Sequence, residues 1–210
     1  MSCDSYLFNK VMSGEILYPV LRLYGWSEKT ISLGVNQKLQ DESNVVKRIT
    51  GGQAVEHGLP NDEITYSICL HYEGNRKELY FEIGNVFIDF LDKYNLTGTF
   101  GYSNNSYIND FDCFNAKTSA DIVVNDIKVI GSAQRRKMLK EKKKKYILQH
   151  GAIKLDKIRD LSRKKLNFED AAREIKNSFK EVLNVQFEDY FLTSRDYEKI
   201  NIHNEKVLIA

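Results

Sequence analysis

The chain has few of the residues that brace or interrupt a fold. Its 210 residues include two prolines, Pro19 and Pro60, one tryptophan and three cysteines. With so few prolines no stiff linker divides it, and the length fits one domain whose interior is large enough to fold without staples. Cys3, Cys69 and Cys113 are widely spaced and odd in number. That argues against a disulfide framework or a zinc pair and for reduced thiols. The four histidines, His57, His71, His150 and His203, have neither HxH nor HExxH spacing, so no metal is expected. No apolar run approaches the roughly 18 residues needed to cross a bilayer. The opening "MSCDSYLFNK" has no basic stretch ahead of a long apolar one. No membrane contact and no secretion are expected, and the predicted location is cytoplasmic.

Net charge is also low, at +2, but it is unevenly placed. Residues 135–145, "RRKMLKEKKKK", hold eight Lys/Arg and one Glu, a local +7 that leaves −5 on the remainder. Such a patch attracts acidic partners and speeds their encounter at low salt. The run contains no aromatic before Tyr146, which gives bases nothing to stack on, so nucleic acid is not an expected partner. Its plainest reading is a solvated loop.

The first residues predict a short helix ended by Gly14. Strand-like pieces follow at "VLRLY" (20–24), "TISLG" (30–34), "VVKRI" (45–49) and "TYSICLH" (65–71). In 77–94, Leu79, Ile83, Val86, Phe87, Phe90 and Leu91 recur at helical spacing. In 168–183, Phe168, Ala171, Ala172, Ile175, Phe179, Val182 and Leu183 do the same behind a candidate N-cap, Asn167. Between them "DIVVNDIKVIGSAQ" (121–134) reads as a hairpin turning at Asn125-Asp126. "YILQHGAIKL" (146–155) reads as a strand bent at Gly151. Strands and two amphipathic helices without βαβ alternation predict an α+β domain with helices packed on mixed or antiparallel sheets.

Three segments carry candidate chemistry. In "KRITGGQAVEHGLPNDEITYS" (47–67), Gly51 and Gly52 allow backbone N–H groups close to a ligand, although a glycine pair is most often a hairpin turn. His57 alone reads as a hydrogen-bonded turn residue. In "NDIKVIGSAQRR" (125–136), a strand lysine ordinarily points to water. If Lys128 points inward, desolvation makes it a usable base or a nearby cation. The small residues Gly131, Ser132 and Ala133 leave room for a narrow ligand. In "DFDCFNA" (110–116), Cys113 is either a small core residue or a nucleophile, and a cation nearby would lower its pKa.

Four blocks, "PVLRLYGWSEKTISLGVNQ" (19–37), 47–67, "CFNAKTSADIVVNDIKVIGSAQRR" (113–136) and "ILQHGAIKLD" (147–156), together resemble the biotin/lipoate protein ligase superfamily. Within it they are most similar to its cysteine-dependent octanoyltransferases, and the likeness covers nearly all of residues 1–210 as one catalytic domain. The resemblance implies transfer of an octanoyl (or lipoyl) group from acyl carrier protein, through a Cys113 thioester, to a lysine of a lipoyl domain or the glycine-cleavage H protein. It implies Cys113 as nucleophile and Lys128 as its activating base or ion-pair partner. For the acyl site it implies Arg48, Gly51, Gly52, Gln53, Ala54, His57, Tyr66, Gly131, Ser132, Ala133, Gln134, His150 and Gly151. No cofactor is needed, because a thioester is already activated. ATP and Mg would enter only for the alternative, a lipoate–protein ligase of the same fold; a third reading is an inactive binding paralogue.

The sequence departs from the family pattern at Gln53, in the longer "GLPND" link, in a basic insertion at 137–145 and in a chain that starts almost at its first helix. About 54 residues follow Asp156, which predicts a helical tail over about 157–210 and too little chain for an accessory domain. If the 135–145 cations dock an acidic carrier, neutralising its lysines should raise the apparent KM for carrier and flatten its salt dependence. Steady-state kinetics across ionic strength would read this out.

Overall fold

The computed structural model describes residues 1–38, 44–101, 118–141 and 143–200. In chain order its elements are α1 (Ser2–Ser13), β1 (Val20–Tyr24), β2 (Thr30–Leu33), β3 (Val45–Lys47), β4 (Val55–His57), β5 (Glu63–His71), α2 (Arg76–Asp92), β6 (Thr99–Phe100), β7 (Ile122–Val124), β8 (Ile127–Leu139), β9 (Lys144–Lys154), α3 (Leu155–Ser162) and α4 (Phe168–Leu183). A further helical stretch covers 194–200. The larger sheet runs β1-β5-β9-β8-β7-β6, with every pair antiparallel. The smaller sheet runs β3-β2-β4, parallel on one side of β2 and antiparallel on the other. This is the expected α+β architecture. Among the described residues no helix is long and apolar enough to cross a membrane.

Local chemistry sets the helix ends. Gly14 takes φ 88° after α1, a conformation that costs glycine little. Asn75 and Glu78 form a reciprocal capping box at the start of α2. Asn167 accepts from the Asp170 N–H at 2.8 Å, as its position before α4 predicts. At the β7–β8 turn Asn125 and Asp126 both have positive φ, 48° and 65°, as a type I′ hairpin requires.

The central strands are buried on both faces, and their alternation sorts the core. Ile64, Tyr66 and Ile68 of β5 join Ile147 and Ile153 of β9 beneath α2 and α4, where Leu79, Ile83, Val86, Phe87, Phe90 and Leu91 meet them. Cys69, Tyr146 and Leu148 lie in a second cluster with Leu7, Phe8, Val11 and Met12 of α1.

Four expectations need correction. Val182 is exposed at the end of α4, and Ser178 takes a fully buried place on that helix. Gly151 does not bend β9, since its pairing with β5 and β8 runs through that residue without a shift. The 135–145 run is not all solvated loop: Arg135 to Leu139 pair with Leu148 to Lys144, so β8 and β9 continue into it as a ribbon. The Gly51-Gly52 segment is no hairpin turn either, because β3 and β4 both pair with β2 and not with each other. Among the described residues β8 pairs with β7 only through Ile130, so from Gly131 onward its ladder partner is β9 alone.

Phe87 is 1% exposed and packs against Tyr66 and Phe179, with ring centroids 4.7 and 6.1 Å away. Phe87→Ala should cost about 3–5 kcal/mol of stability. Denaturant unfolding should register this as a lower midpoint at an unchanged slope.

Candidate active site

Gly151 allows the centre of the larger sheet to lie close to its neighbours. A Cβ on Gly151 would fall far inside contact with the Gly131 carbonyl oxygen and 2.7 Å from Tyr66 Cε1. Both glycines line a cavity of about 50 Å³, together with Ser132, Ala133, His150 and Ala152 of the same two strands. Ser32, Val55 and His57 of the smaller sheet, Arg48 and Gly52 of the β3–β4 segment, and Thr65 and Met1 complete the wall. Eight of the predicted site residues therefore meet: Arg48, Gly52, His57, Gly131, Ser132, Ala133, His150 and Gly151.

Six others, Lys128 among them, do not line this cavity. Tyr66 is fully buried on the helix side, where its hydroxyl lies 2.6 Å from Ser132 Oγ and accepts from Gln149 Nε2 at 3.1 Å. Gln134 Nε2 donates to Gln149 Oε1 at 2.7 Å on that same side. Gly51 and Gln53 contribute backbone: both carbonyls accept from Arg48 Nη2, at 3.1 and 2.5 Å. Ala54 is buried beside the β4 entry. Cys113 lies outside the described residues.

Two buried histidines hold the 48–54 segment in place, and one of them, His57, is bonded to a buried carboxylate. Glu63 Oε1 is 2.5 Å from His57 Nδ1, and His57 Nε2 is 2.7 Å from Ser32 Oγ. Arg48 Nη1 donates to the Ser32 hydroxyl and carbonyl at 3.2 and 2.7 Å. Trp26 stacks on the His57 ring at 4.4 Å and donates to Thr65 Oγ1, which in turn donates to Glu63 Oε1. On the α1 side, Asp4 accepts from Arg22, Tyr24 and Ser67, each at 2.8 Å. His150 Nδ1 stands 3.7 Å from Asp4 Oδ2, beyond hydrogen-bond range, and His150 Nε2 is 2.5 Å from Thr50 Oγ1. The β3–β4 segment is thus gripped at Arg48 and at Thr50. Ser32, Thr50, Asp4 and Glu63 have no sequence signal of their own, and their roles come from long-range pairing.

Lys128 is 2% exposed, and its Nζ lies 3.1 Å from Asp121 Oδ2, itself 2% exposed and bonded to the Thr118 N–H and hydroxyl. The outward-pointing default for this lysine is therefore wrong. The cause is a β-bulge. Ile130 pairs with Ile122, but Lys128 pairs with Val123, so two steps along β8 match one along β7. Val129 and Ile130 consequently both enter the helix-side core, as do Ile122 and Val124. Lys128 shares the opposite face with Val123, the face that carries α1 and the polar network. Among the described residues no cluster of His, Cys, Asp or Glu is arranged to hold a metal.

A family model described as the lipoyl protein ligase A/B catalytic domain matches residues 1–188. The chain belongs to that family. An octanoyltransferase LipM of Clostridioides difficile is 33% identical over 174 residues, covering 74% of this chain and 60% of the relative. An octanoyltransferase LipM of Halalkalibacterium halodurans is 28% identical, covering 95% of this chain and 88% of the relative. The chain thus spans about 60% of the length of the relative from C. difficile. Among solved structures, lipoate-protein ligase A bound with ATP superposes with a TM-score of 0.67 at 18% identity, covering 97% of this chain and 89% of that one. A bi-partite lipoate protein ligase from Thermoplasma acidophilum gives 0.67 at 16%, covering 97% and 87%. At these identities the superpositions establish the lipoyl ligase fold alone.

The titrations of His57, His150 and Glu63 share one sign. Burial pushes the His57 and His150 pKa values down from 6.5, outweighing the nearby carboxylates that raise them. The unfolded chain therefore binds these protons first, and stability is lost as pH drops below 6.5. Burial would push Glu63 up, but the His57 bond and Lys154 hold it below 4.5, so a second loss follows at more acid pH. Melting temperature should fall on acidification, and His150→Gln should flatten the first part of that fall.

Proposed function

We propose that the chain is an octanoyltransferase of protein lipoylation. The observation that carries this reading is the match to octanoyltransferases, which for the H. halodurans protein described above covers 95% of the chain. The narrow cavity among Gly131, Gly151 and Gly52 supports it, because a slot between close backbones suits an unbranched acyl chain. Each buried CH₂ contributes about 0.8 kcal/mol, enough for such a slot to sort chains by length.

In this reading the donor is octanoyl-acyl carrier protein and the acceptor is a lysine of a lipoyl domain or of the glycine-cleavage H protein. The Cys113 sulfur attacks the donor carbonyl and the carrier thiol leaves. The acceptor amine then attacks the new thioester and Cys113 leaves, so one difficult transfer becomes two easier ones. Lys128 assists, either as a neutral base or as an ammonium paired with the thiolate. Asp121 and the bulge at Val129 support this part by giving the lysine a fixed direction.

Intact-mass measurement after incubation with octanoyl-carrier protein tests the reading. An octanoyl adduct that hydroxylamine removes, and that Cys113→Ser does not form, is expected. Acylation of a lipoyl domain from free lipoate that strictly requires ATP and survives Cys113→Ser would assign the chain to the ligases instead.

A further inference from the structure

Glu63 also has a partner on its far side. Its Oε2 lies 2.5 Å from Lys154 Nζ, and Lys154 borders a second, open and polar cavity of about 470 Å³ together with Lys29, Glu56, Asp62 and Asp156. A continuous chain of short contacts therefore runs from the wall of the first cavity to the second: Ser32 Oγ, His57, the Glu63 carboxylate, Lys154 Nζ. Ser32, His57 and Glu63 are 1%, 4% and 0% exposed, and His57 itself borders the second cavity as well as the first. The direction of the bonds is set by charge. An ionised Glu63 accepts the Nδ1–H of a neutral imidazole, which leaves the Nε2 lone pair facing the Ser32 hydroxyl. The charged groups that face His57 are Glu63, Lys154 and Arg48.

The two half-reactions of the proposed transfer differ in proton count. Loading exchanges one thioester for another: the carrier's C–S bond breaks, the Cys113 C–S bond forms, and a thiol replaces a thiol with no net proton. Transfer to lysine starts from an ammonium, since a free lysine titrates at about 10.4. There the C–S bond breaks, a C–N bond forms, Cys113 recovers one proton and one more must leave the site.

We propose that Ser32, His57 and Glu63 form a proton relay that carries this released proton from the acyl cavity to Lys154 at the open cavity. Ser32 Oγ takes the proton as its own passes to His57 Nε2. The His57 Nδ1 proton moves to Glu63, and Lys154 gives one to water and regains it from Glu63. The inference rests on the transferase reading and assigns these residues to positioning protons for transfer, with no part in loading.

Single-turnover measurements on the full chain separate the steps. Loading is followed from octanoyl-carrier protein, and transfer from the loaded enzyme to a lysine acceptor or to hydroxylamine, an uncharged amine that releases no net proton. In Ser32→Ala and His57→Gln, transfer to lysine should slow on the order of tenfold or more beyond any change in loading. Transfer to hydroxylamine should follow loading. If His57→Gln does not fold, Ser32→Ala and Lys154→Met carry the same comparison. Equal slowing of both half-reactions, equal slowing with both amines, or no slowing would overturn the relay. Failure of the unsubstituted chain to load would overturn the transferase reading, and the relay with it.

Discussion

A carboxylate removed from water must be met by donors on every side, and Asp4 and Glu63 are removed almost completely. Asp4 is met by Arg22, Tyr24 and Ser67. Glu63 is met by His57, Thr65 and Lys154. These partners come from β1, β4, β5 and β9, and Asp4 itself from α1, so each carboxylate fixes the relative position of several elements at once. Satisfying Glu63 also positions the 48–54 segment, because its partner His57 contacts Ser32, to which Arg48 is bonded. Breaking such a buried set by removing one partner typically costs about 3–5 kcal/mol, since the other charge stays behind.

The second constraint is geometric. The sheet needs an apolar face for α2 and α4 and a polar face for α1 and the cavity, and strict alternation would assign Lys128 to the same side as Ile130. The bulge at Val129 resolves this by giving two consecutive apolar residues to the helices and turning the lysine away. A single extra residue in β8 separates a lysine lost in the core from one aimed at Asp121.

What could be read from the chain follows from what is local. The periodic stripe and Asn167 gave α4 its limits, Phe168 to Leu183, because capping and amphipathicity act within a few residues. The Asn125-Asp126 turn was legible for the same reason. The bulge has no residue signature, so the direction of Lys128 was open until the ladder was seen. Ser32 reads as an ordinary residue of the 30–34 strand and Glu63 falls just ahead of the 65–71 strand without a signal, because distant partners give them their roles, Ser32 lying 25 positions from His57 and Glu63 lying 91 from Lys154. Gly151 was legible as special but not for its reason: the clash it avoids is with β8 and Tyr66, and nothing nearby in sequence announces them.

The outer part of β8 has a further consequence. From Gly131 to Leu139, among the described residues, the strand is hydrogen-bonded on the β9 side only, and an unmatched border of that kind invites a second copy to extend the sheet. Arg135, Arg136 and Lys137 are exposed along it, so two identical borders brought together would set cation against cation. The like charge carried by this border thereby opposes pairing of the strand with its own copy.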